Sequence, residues 1–185
     1  MNNAYELFQN DASLNKQLYT VLRFACRCDS ATALTMNTYE AASTFLAAQC
    51  NKIRILNIGT VDDKLSETYS NIAKELNVNF KMMQNKNDLE KTDLLYIDTP
   101  AEGNYRAMEL GKYAPLVNKY IILPKTVEFA HRASPQIKLN EDMKPIGLVF
   151  GINHFLQAHD NWFILEHDDL DPGMTVLVNK DNVIC

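Results

Sequence analysis

Apolar and polar residues recur along the chain with two different periods, and each change of period marks a boundary between a predicted strand and a predicted helix. Residues 53–58 (IRILNI) form a nearly continuous apolar run that stops at Gly59. Such a run predicts a strand covered by helices on both faces. Apolar residues then recur at helical spacing over residues 65–76, with Asp62 or Asp63 placed to cap the helix. This unit is predicted to be the first strand, turn and helix of an α/β sheet.

The residues before this unit have a helical pattern. Apolar residues at spacings of three and four run through residues 14–25, and a second helix is predicted over residues 38–48. We therefore expect residues 1–50 to form a helical cap and residues 51–185 to form an α/β core. A chain of 185 residues is long enough for one well-buried core, so a single domain is expected.

The remaining pattern predicts a mostly parallel sheet with helices on both faces, in the manner of a Rossmann-like fold. Strands are predicted at residues 78–83, 93–99 and 119–123, helices at 104–114 and after Pro145, and an antiparallel terminal pair at 162–165 and 174–178. The gap after residue 83 is too short for a crossover helix, because a parallel connection needs about a dozen residues or more. A helical unit is thus expected to be missing there.

Charge and composition exclude several classes of protein. The net charge is −5 and the basic residues are scattered, which disfavours binding to nucleic acid or to an anionic membrane. No apolar run reaches membrane-spanning length, and the N-terminus has no signal-peptide pattern, so a cytoplasmic location is expected. The four cysteines match no redox or zinc motif and are expected to be reduced. Hydrolase and kinase motifs such as G-x-S-x-G and the P-loop are absent from the sequence.

Three stretches give the chain a resemblance to a known family. They are ILNIGT, the segment DLLYIDTPAEGNYRAMELGKYAPLVNKYIIL, and PIGLVFGINHFL followed by GMTVLV. Their order and spacing resemble those of class I S-adenosylmethionine (SAM)-dependent methyltransferases, in particular O-methyltransferases of the cephalosporin-hydroxylase-like and macrocin O-methyltransferase-like groups. The resemblance covers roughly residues 53–180. It implies SAM as cofactor and a sugar or other small hydroxyl-bearing compound as methyl acceptor, and it leaves a homo-oligomer open.

The resemblance also implies a cofactor site, at Asn57, Gly59, Thr60 and Met83. In the family an acidic residue ends the first strand and glycines follow it, so that the cofactor can lie against the backbone. This chain has Asn57 at the acidic position and retains Gly59. The carboxylate that holds the ribose at the end of the second strand of the family is replaced by Met83 or Gln84.

Candidate catalytic residues are Asp98, Lys125 and His131. Asp98 ends a buried strand at the edge where α/β proteins bind ligands, and Lys125 ends the next strand, where it could serve as a base if it is buried. The two would flank the acceptor hydroxyl. The structural alternatives are a polar partner for loop amides, a solvated lysine and an idle loop histidine. The divalent-metal ligands of the family are not matched beyond Asp98, because Pro124 and Lys125 occupy their stretch and an ammonium group repels a cation, so no bound metal is predicted.

Two hypotheses remain open from the sequence. The first is a small SAM-dependent O-methyltransferase, in which positioning of the two reactants supplies much of the rate. The second is a catalytically inactive protein of the same fold, retained as a binding or assembly module. The departures near Gly59 favour the second hypothesis, while the order of the strands and Asp98 agree with both.

Overall fold

The computed structural model of the protein describes residues 3–36, 40–59, 62–83, 85, 89–135, 146–170 and 172–182. Its helices are α1 (Asn3–Leu14), α2 (Leu18–Ala25), α3 (Glu40–Ala47), α4 (Asp63–Glu75), α5 (Gly103–Tyr113) and α6 (Leu148–Ala158). Its strands are β1 (Ser30–Thr35), β2 (Lys52–Asn57), β3 (Asn79–Met83), β4 (Thr92–Asp98), β5 (Val117–Pro124), β6 (Trp162–Asp168) and β7 (Met174–Asn179). No helix in these ranges has the length and hydropathy that crossing a membrane requires.

The strands are hydrogen-bonded in the order β3-β2-β1-β4-β5-β7-β6. β1, β2 and β3 are parallel, whereas β7 runs antiparallel to both β5 and β6. The predicted α/β class, with a mostly parallel sheet and an antiparallel C-terminal pair, is confirmed. The chain divides into two compact units, residues 1–97 and 98–185, and the single domain stays a prediction.

The predicted helical cap is wrong in one respect, because residues 30–35 form β1, a strand inside the sheet. Five of its six residues are buried, and the sequence SATALT is made of small and β-branched residues. A strand that is covered on both faces has no alternation of apolar and polar residues. The flanking segments are helices α1, α2 and α3, as predicted. The strand at residues 52–57 is therefore the second strand of the sheet and not the first.

Helix α4 begins as the sequence predicts. The side chain of Asp62 accepts hydrogen bonds from the amides of Lys64 and Leu65, at 3.0 and 3.1 Å. This N-cap satisfies two of the amides that the first turn leaves without a helical partner. The buried face of α4 carries Tyr69 and Ile72, whereas Leu65 is 39% exposed.

Helices α5 and α6 of the second unit approach each other through glycine. A Cβ atom added at Gly151 would lie 2.1 Å from the carbonyl oxygen of Gly103, at the first residue of α5. The amide of Gly103 also donates to the carbonyl of Ile146, at 2.7 Å. Only glycine permits backbones to come this close. The segment that follows β4 is thus held against the start of α6.

Candidate functional site

The last residue of β4 and the residue after β5 form an ion pair. The Nζ atom of Lys125 lies 2.8 Å from Oδ1 of Asp98 and donates a hydrogen bond to it. The side chain of Asp98 is 11% exposed and that of Lys125 is 45% exposed. The ammonium group of Lys125 is thus open to solvent. A lysine that serves as a catalytic base needs burial, and Lys125 is not buried in this way. The pair offers an acceptor and a charged donor side by side.

The backbone of Lys125 has an uncommon conformation. Its φ angle is +61°, in the left-handed region that residues with a side chain rarely adopt. Hydrogen bonds on both sides hold it there: its carbonyl accepts from the amide of Phe129 at 3.1 Å, and the next amide, that of Thr126, donates to the carbonyl of Gly173 at 3.2 Å. The buried Thr126 hydroxyl also accepts from Thr175 at 3.1 Å. Strained backbone of this kind persists only where its surroundings fix it, and it concentrates at functional sites.

A buried polar cluster stands directly behind Asp98. The hydroxyl of Thr99 donates to Oε2 of Glu109 at 2.6 Å, and Arg106 donates to the carbonyl of Thr99 at 3.2 Å. The two charged side chains, three residues apart on α5, also form an ion pair of 3.6 Å at 2% and 4% exposure. This cluster was not predicted from the sequence, since a charged pair on a helix is typical of a solvated face. Its only signal was the spacing of Arg106 and Glu109, which places both on one side of α5.

The carboxyl end of β2 carries the other candidates. Asn57 is 7% exposed, and its side-chain Oδ1 accepts a hydrogen bond of 2.8 Å from the backbone amide of Gly59. This hydrogen bond shapes the turn after the strand. Gly59 itself is exposed. Met83 ends β3 and is buried at 3% exposure. Thr60 lies outside the described residues. These candidates belong to the ends of the second and third strands, since β1 precedes both.

The strand order places the topological switch point between β1 and β4. From β1 the chain extends the sheet toward β3, and then it returns to add β4 on the other side of β1. Open α/β sheets bind their ligands outside the carboxyl ends of the strands at such a point. The two strands end at Thr35 and Asp98. Asp98 therefore ends one of the two strands that flank the switch point, and its role in binding or catalysis stays a prediction.

His131 is exposed, and the contacts of the described residues do not connect it to Asp98 or Lys125. Its backbone lies close to Gly147, at the start of α6, where an added Cβ would come within 2.4 Å of the Cα of His131. A catalytic role for His131 stays a prediction.

The described part of the chain has few side chains placed to coordinate a metal ion. No group of three or more histidine, cysteine or acidic side chains is close enough together there to hold one. At Asp98 the Lys125 ammonium occupies the position that a cation would take. The absence of a metal stays a prediction that rests on this ion pair.

A groove of about 420 Å³ lies between α1 and α4, and its walls include Glu6, Asn71 and Glu75. None of the candidate residues at the strand ends lines it. The groove is separate from the edge of the sheet where the fold binds ligands.

Comparison with known proteins gives a consistent picture at the level of the fold. No family model matches the chain, and no curated protein matches it significantly. Solved structures do match. A methyltransferase from Geobacter sulfurreducens is 11% identical, with 97% of this chain and 89% of that chain covered and a TM-score of 0.62. An O-methyltransferase from Bacillus cereus in complex with S-adenosylhomocysteine (SAH) is 13% identical, with 97% and 91% covered and a TM-score of 0.58. The chain has the class I methyltransferase fold.

A third similar structure carries the cofactor. The O-methyltransferase TomG from Streptomyces achromogenes, involved in tomaymycin synthesis and in complex with SAM, is 10% identical, with 91% of this chain and 80% of that chain covered and a TM-score of 0.56. In this chain β1 (Ser30–Thr35) precedes the strand that contains most of residues 53–58, which is β2. Residues 36–39 (MNTY), which follow β1 in the sequence, contain no glycine. Asn57 takes the position at the end of the second strand.

Proposed function

We propose that this protein is a SAM-dependent O-methyltransferase that acts on a sugar or another small hydroxyl-bearing acceptor. The observation that carries the proposal is the ion pair of Asp98 and Lys125, whose Oδ1 and Nζ atoms are 2.8 Å apart at the carboxyl end of β4. It combines a proton acceptor with a cation at the edge of the sheet where the methyltransferase fold binds ligands. The buried Arg106 and Glu109 hold Thr99, the residue that follows Asp98 in the chain.

Besides this ion pair, methyl transfer requires mainly that the protein position the cofactor and the acceptor correctly. SAM, when bound, supplies an electrophilic methyl group on a sulfonium. An acceptor hydroxyl that received this group would have to lose its proton, and that proton is what the residues of this chain would handle. The carboxylate of Asp98 can take this proton, and the ammonium of Lys125 can stabilise the negative charge that develops on the oxygen. Alignment of the two reactants supplies the remaining acceleration.

The residues present fit the adenosine half of the cofactor better than its methionine half. Asn57 ends the second strand, where the family has a carboxylate for the ribose, and an amide can also hydrogen-bond to a hydroxyl. Asn57, Gly59, Thr60 and Met83 would then hold the adenosine. The connection at residues 36–39 lacks the glycines that let the methionine part approach the backbone. We expect weak cofactor binding for this reason.

The second candidate function is a catalytically inactive module with the methyltransferase fold. The absence of glycine from the sequence of residues 36–39 favours it, because glycine is the residue that lets a ligand approach the backbone. The two candidates differ in a property that can be measured without knowledge of the acceptor.

Calorimetric titration with SAM and with SAH separates the candidates. Micromolar to high-micromolar binding that is weakened by Asn57→Ala supports the enzyme. The absence of both heat and thermal shift at millimolar ligand would rule it out and leave the inactive module.

Where binding is found, methyl transfer to a panel of sugars and phenols tests the ion pair. We expect Asp98→Asn to reduce kcat by about 10²-fold to 10⁴-fold, the usual contribution of a general base. Lys125→Met should reduce it too, whereas Lys112→Met, an exposed lysine on α5, is the matched control. Unchanged turnover in both site variants would remove the pair from the mechanism.

A further inference from the structure

Arg54 is a buried cation inside the sheet whose hydrogen bonds, in the described part of the chain, go to neutral groups. It is the third residue of β2 and is 7% exposed. Its Nη1 atom donates to the carbonyls of Ile53 and Asn79, both at 3.0 Å, and to Oδ1 of Asn79 at 3.3 Å. Its buried Nε atom has no hydrogen-bond partner among the described residues. A guanidinium that is withdrawn from water in this way is costly unless an anion compensates its charge.

Two lysines share the face of the sheet on which Arg54 lies. β2 and β3 are parallel neighbours, and their register sets Lys81 beside Arg54 and Asn79 beside Lys52. Residues side by side on parallel strands, and residues two apart along one strand, project from the same face. The side chain of Lys52 is 36% exposed, Lys81 is exposed, and β3 lies at one edge of the described sheet. Lys52, Arg54 and Lys81 therefore form a basic cluster that solvent can reach.

The carboxylate of Glu90 faces this basic cluster and balances only part of its charge. Nζ of Lys52 donates a hydrogen bond to Oε2 of Glu90, whose side chain is 52% exposed. This hydrogen bond, and then the three positive charges of the cluster, hold the pKa of the Glu90 carboxyl below its usual value. One negative charge thus meets three positive ones.

Two more acids lie at this end of the sheet, in the surroundings of Cys50. Asp29 precedes β1 and Asp93 is the second residue of β4, and Oδ2 of Asp93 accepts a hydrogen bond of 2.9 Å from the amide of Asp29. Burial is the main cause of the raised pKa of Cys50, and these two acids add to it. The charges that act most strongly on Glu90 are, in contrast, positive. The basic cluster therefore keeps an excess of positive charge.

We propose that the basic cluster binds the phosphate group of a small phosphorylated compound, and that Glu90 occupies the cluster when no such ligand is bound. A phosphate monoester carries about −1.5 to −2 charges at pH 7 and three acceptor oxygens, so it compensates the cluster more completely than one carboxylate does. Arginine and lysine are the usual partners of phosphate, and an arginine that neutral acceptors already hold in place loses little freedom on binding.

The position and size of the basic cluster define what it can bind. The cluster is compact, and the basic residues of the rest of the chain are scattered, which favours a single phosphate group over a polynucleotide. Arg54 lies three residues before Asn57, about 10 Å along β2, so the cluster is separate from the carboxyl end of that strand. Binding here does not require the methyltransferase reaction.

Titration with inorganic phosphate tests the site. Near neutral pH, with the ionic strength held constant by sodium chloride, phosphate at millimolar concentrations should raise Tm in a saturable manner, because it binds the folded state. Isothermal titration calorimetry should give the same dissociation constant. Acetate, which carries one negative charge, should bind more weakly than phosphate.

Variants at exposed residues separate the basic cluster from a general salt effect, since replacement of the buried Arg54 would perturb the fold. Lys81→Met should weaken phosphate binding about tenfold or more, the effect of losing one hydrogen bond to a charged group. Glu90→Gln should tighten phosphate binding about twofold to fivefold, because the competing charge is removed. The matched controls are Lys64→Met and Glu67→Gln, exposed residues of α4 that should leave the dissociation constant unchanged.

Four results would contradict the proposal or a part of it. A Tm that responds to phosphate no more than to chloride of equal ionic strength would overturn it, as would unchanged phosphate binding in Lys81→Met. Binding that is not tightened by Glu90→Gln would overturn the role of Glu90, and acetate binding as tight as that of phosphate would overturn the preference for a dianion. An RNA oligonucleotide that binds more tightly than phosphate, with a steep salt dependence, would replace the single phosphate group by a polynucleotide.

Discussion

The buried ion pair of Arg106 and Glu109 allows a prediction of stability that can be worked out from the structure. The side chains are 2% and 4% exposed, and Oε1 of Glu109 has no hydrogen-bond partner among the described residues. Loss of one partner leaves an uncompensated charge inside the protein, at a cost of about 3–5 kcal/mol. Arg106→Met also releases the carbonyl of Thr99. For a chain of this size each kcal/mol lowers Tm by about 2–4 °C, so a decrease of roughly 6–20 °C is expected.

A double-mutant cycle separates this effect from simple loss of packing. Arg106→Met combined with Glu109→Leu replaces both charges by apolar groups of similar volume, which is often neutral for stability. The hydroxyl of Thr99 then loses its acceptor, so the double variant should lie within about 1–2 kcal/mol of the original protein. Urea denaturation followed by circular dichroism gives the four free energies of unfolding. Single variants that cost less than about 1 kcal/mol, or a double variant whose cost is the sum of the two, would refute the reasoning.

Three other features give predictions that thermal or chemical denaturation can check. Asp62→Ala removes the N-cap of α4 and should cost about 1 kcal/mol. Gly151→Ala should be strongly destabilising, because its Cβ would lie 2.1 Å from a backbone oxygen. The control is Gly111→Ala on α5, which should be neutral or stabilising by up to about 1 kcal/mol, because no atom lies within 4 Å of the new Cβ. Equal effects of the two substitutions on stability would contradict the packing argument. Burial, and to a lesser extent the neighbouring Cys26 thiol, raises the pKa of Cys50 from 9.0 to about 12. The folded state thus favours the protonated thiol, so the free energy of unfolding should fall as the pH rises from about 9 to 12. Mass spectrometry after alkylation of the native protein should find Cys26 labelled and Cys50 protected.

The sequence was a good guide wherever a strand or helix had one clear period. The run that became β2, the cap at Asp62 and the antiparallel pair of β6 and β7 were all predicted, because each combines an apolar pattern with a defined turn or cap. The strand at residues 30–35 was missed, because alanine favours helices and a strand buried on both faces shows no alternation. Because of that omission, residues 53–58 were predicted to be the first strand of the sheet, whereas β2 is the second strand along the chain.

The site was predictable in part for a related reason. Asp98 could be placed because it ends an apolar run at the sheet edge where ligands bind. Lys125 was expected to flank the same acceptor hydroxyl as Asp98, but a direct ion pair was not, since it depends on the left-handed backbone of Lys125 after β5. The sequence does not reveal which strand forms the edge of a sheet, so the 40% exposure of Phe163 on β6 could not be predicted.

The glycine contact between α5 and α6 has a consequence for the evolution of this protein. An added Cβ would lie 2.5 Å from the carbonyl oxygen of Gly147 at position 103 and 2.1 Å from the carbonyl oxygen of Gly103 at position 151. A side chain at either position requires the two segments to separate, and separation would release the segment that leads from Asp98 into α5. At position 147 an added Cβ would instead lie 2.1 Å from the carbonyl oxygen of Ala130, so a side chain there would displace the segment at residues 130–131. Substitutions at these three positions should therefore be rare among homologues. Their joint retention would serve as a sequence marker for homologues that keep this arrangement around Asp98.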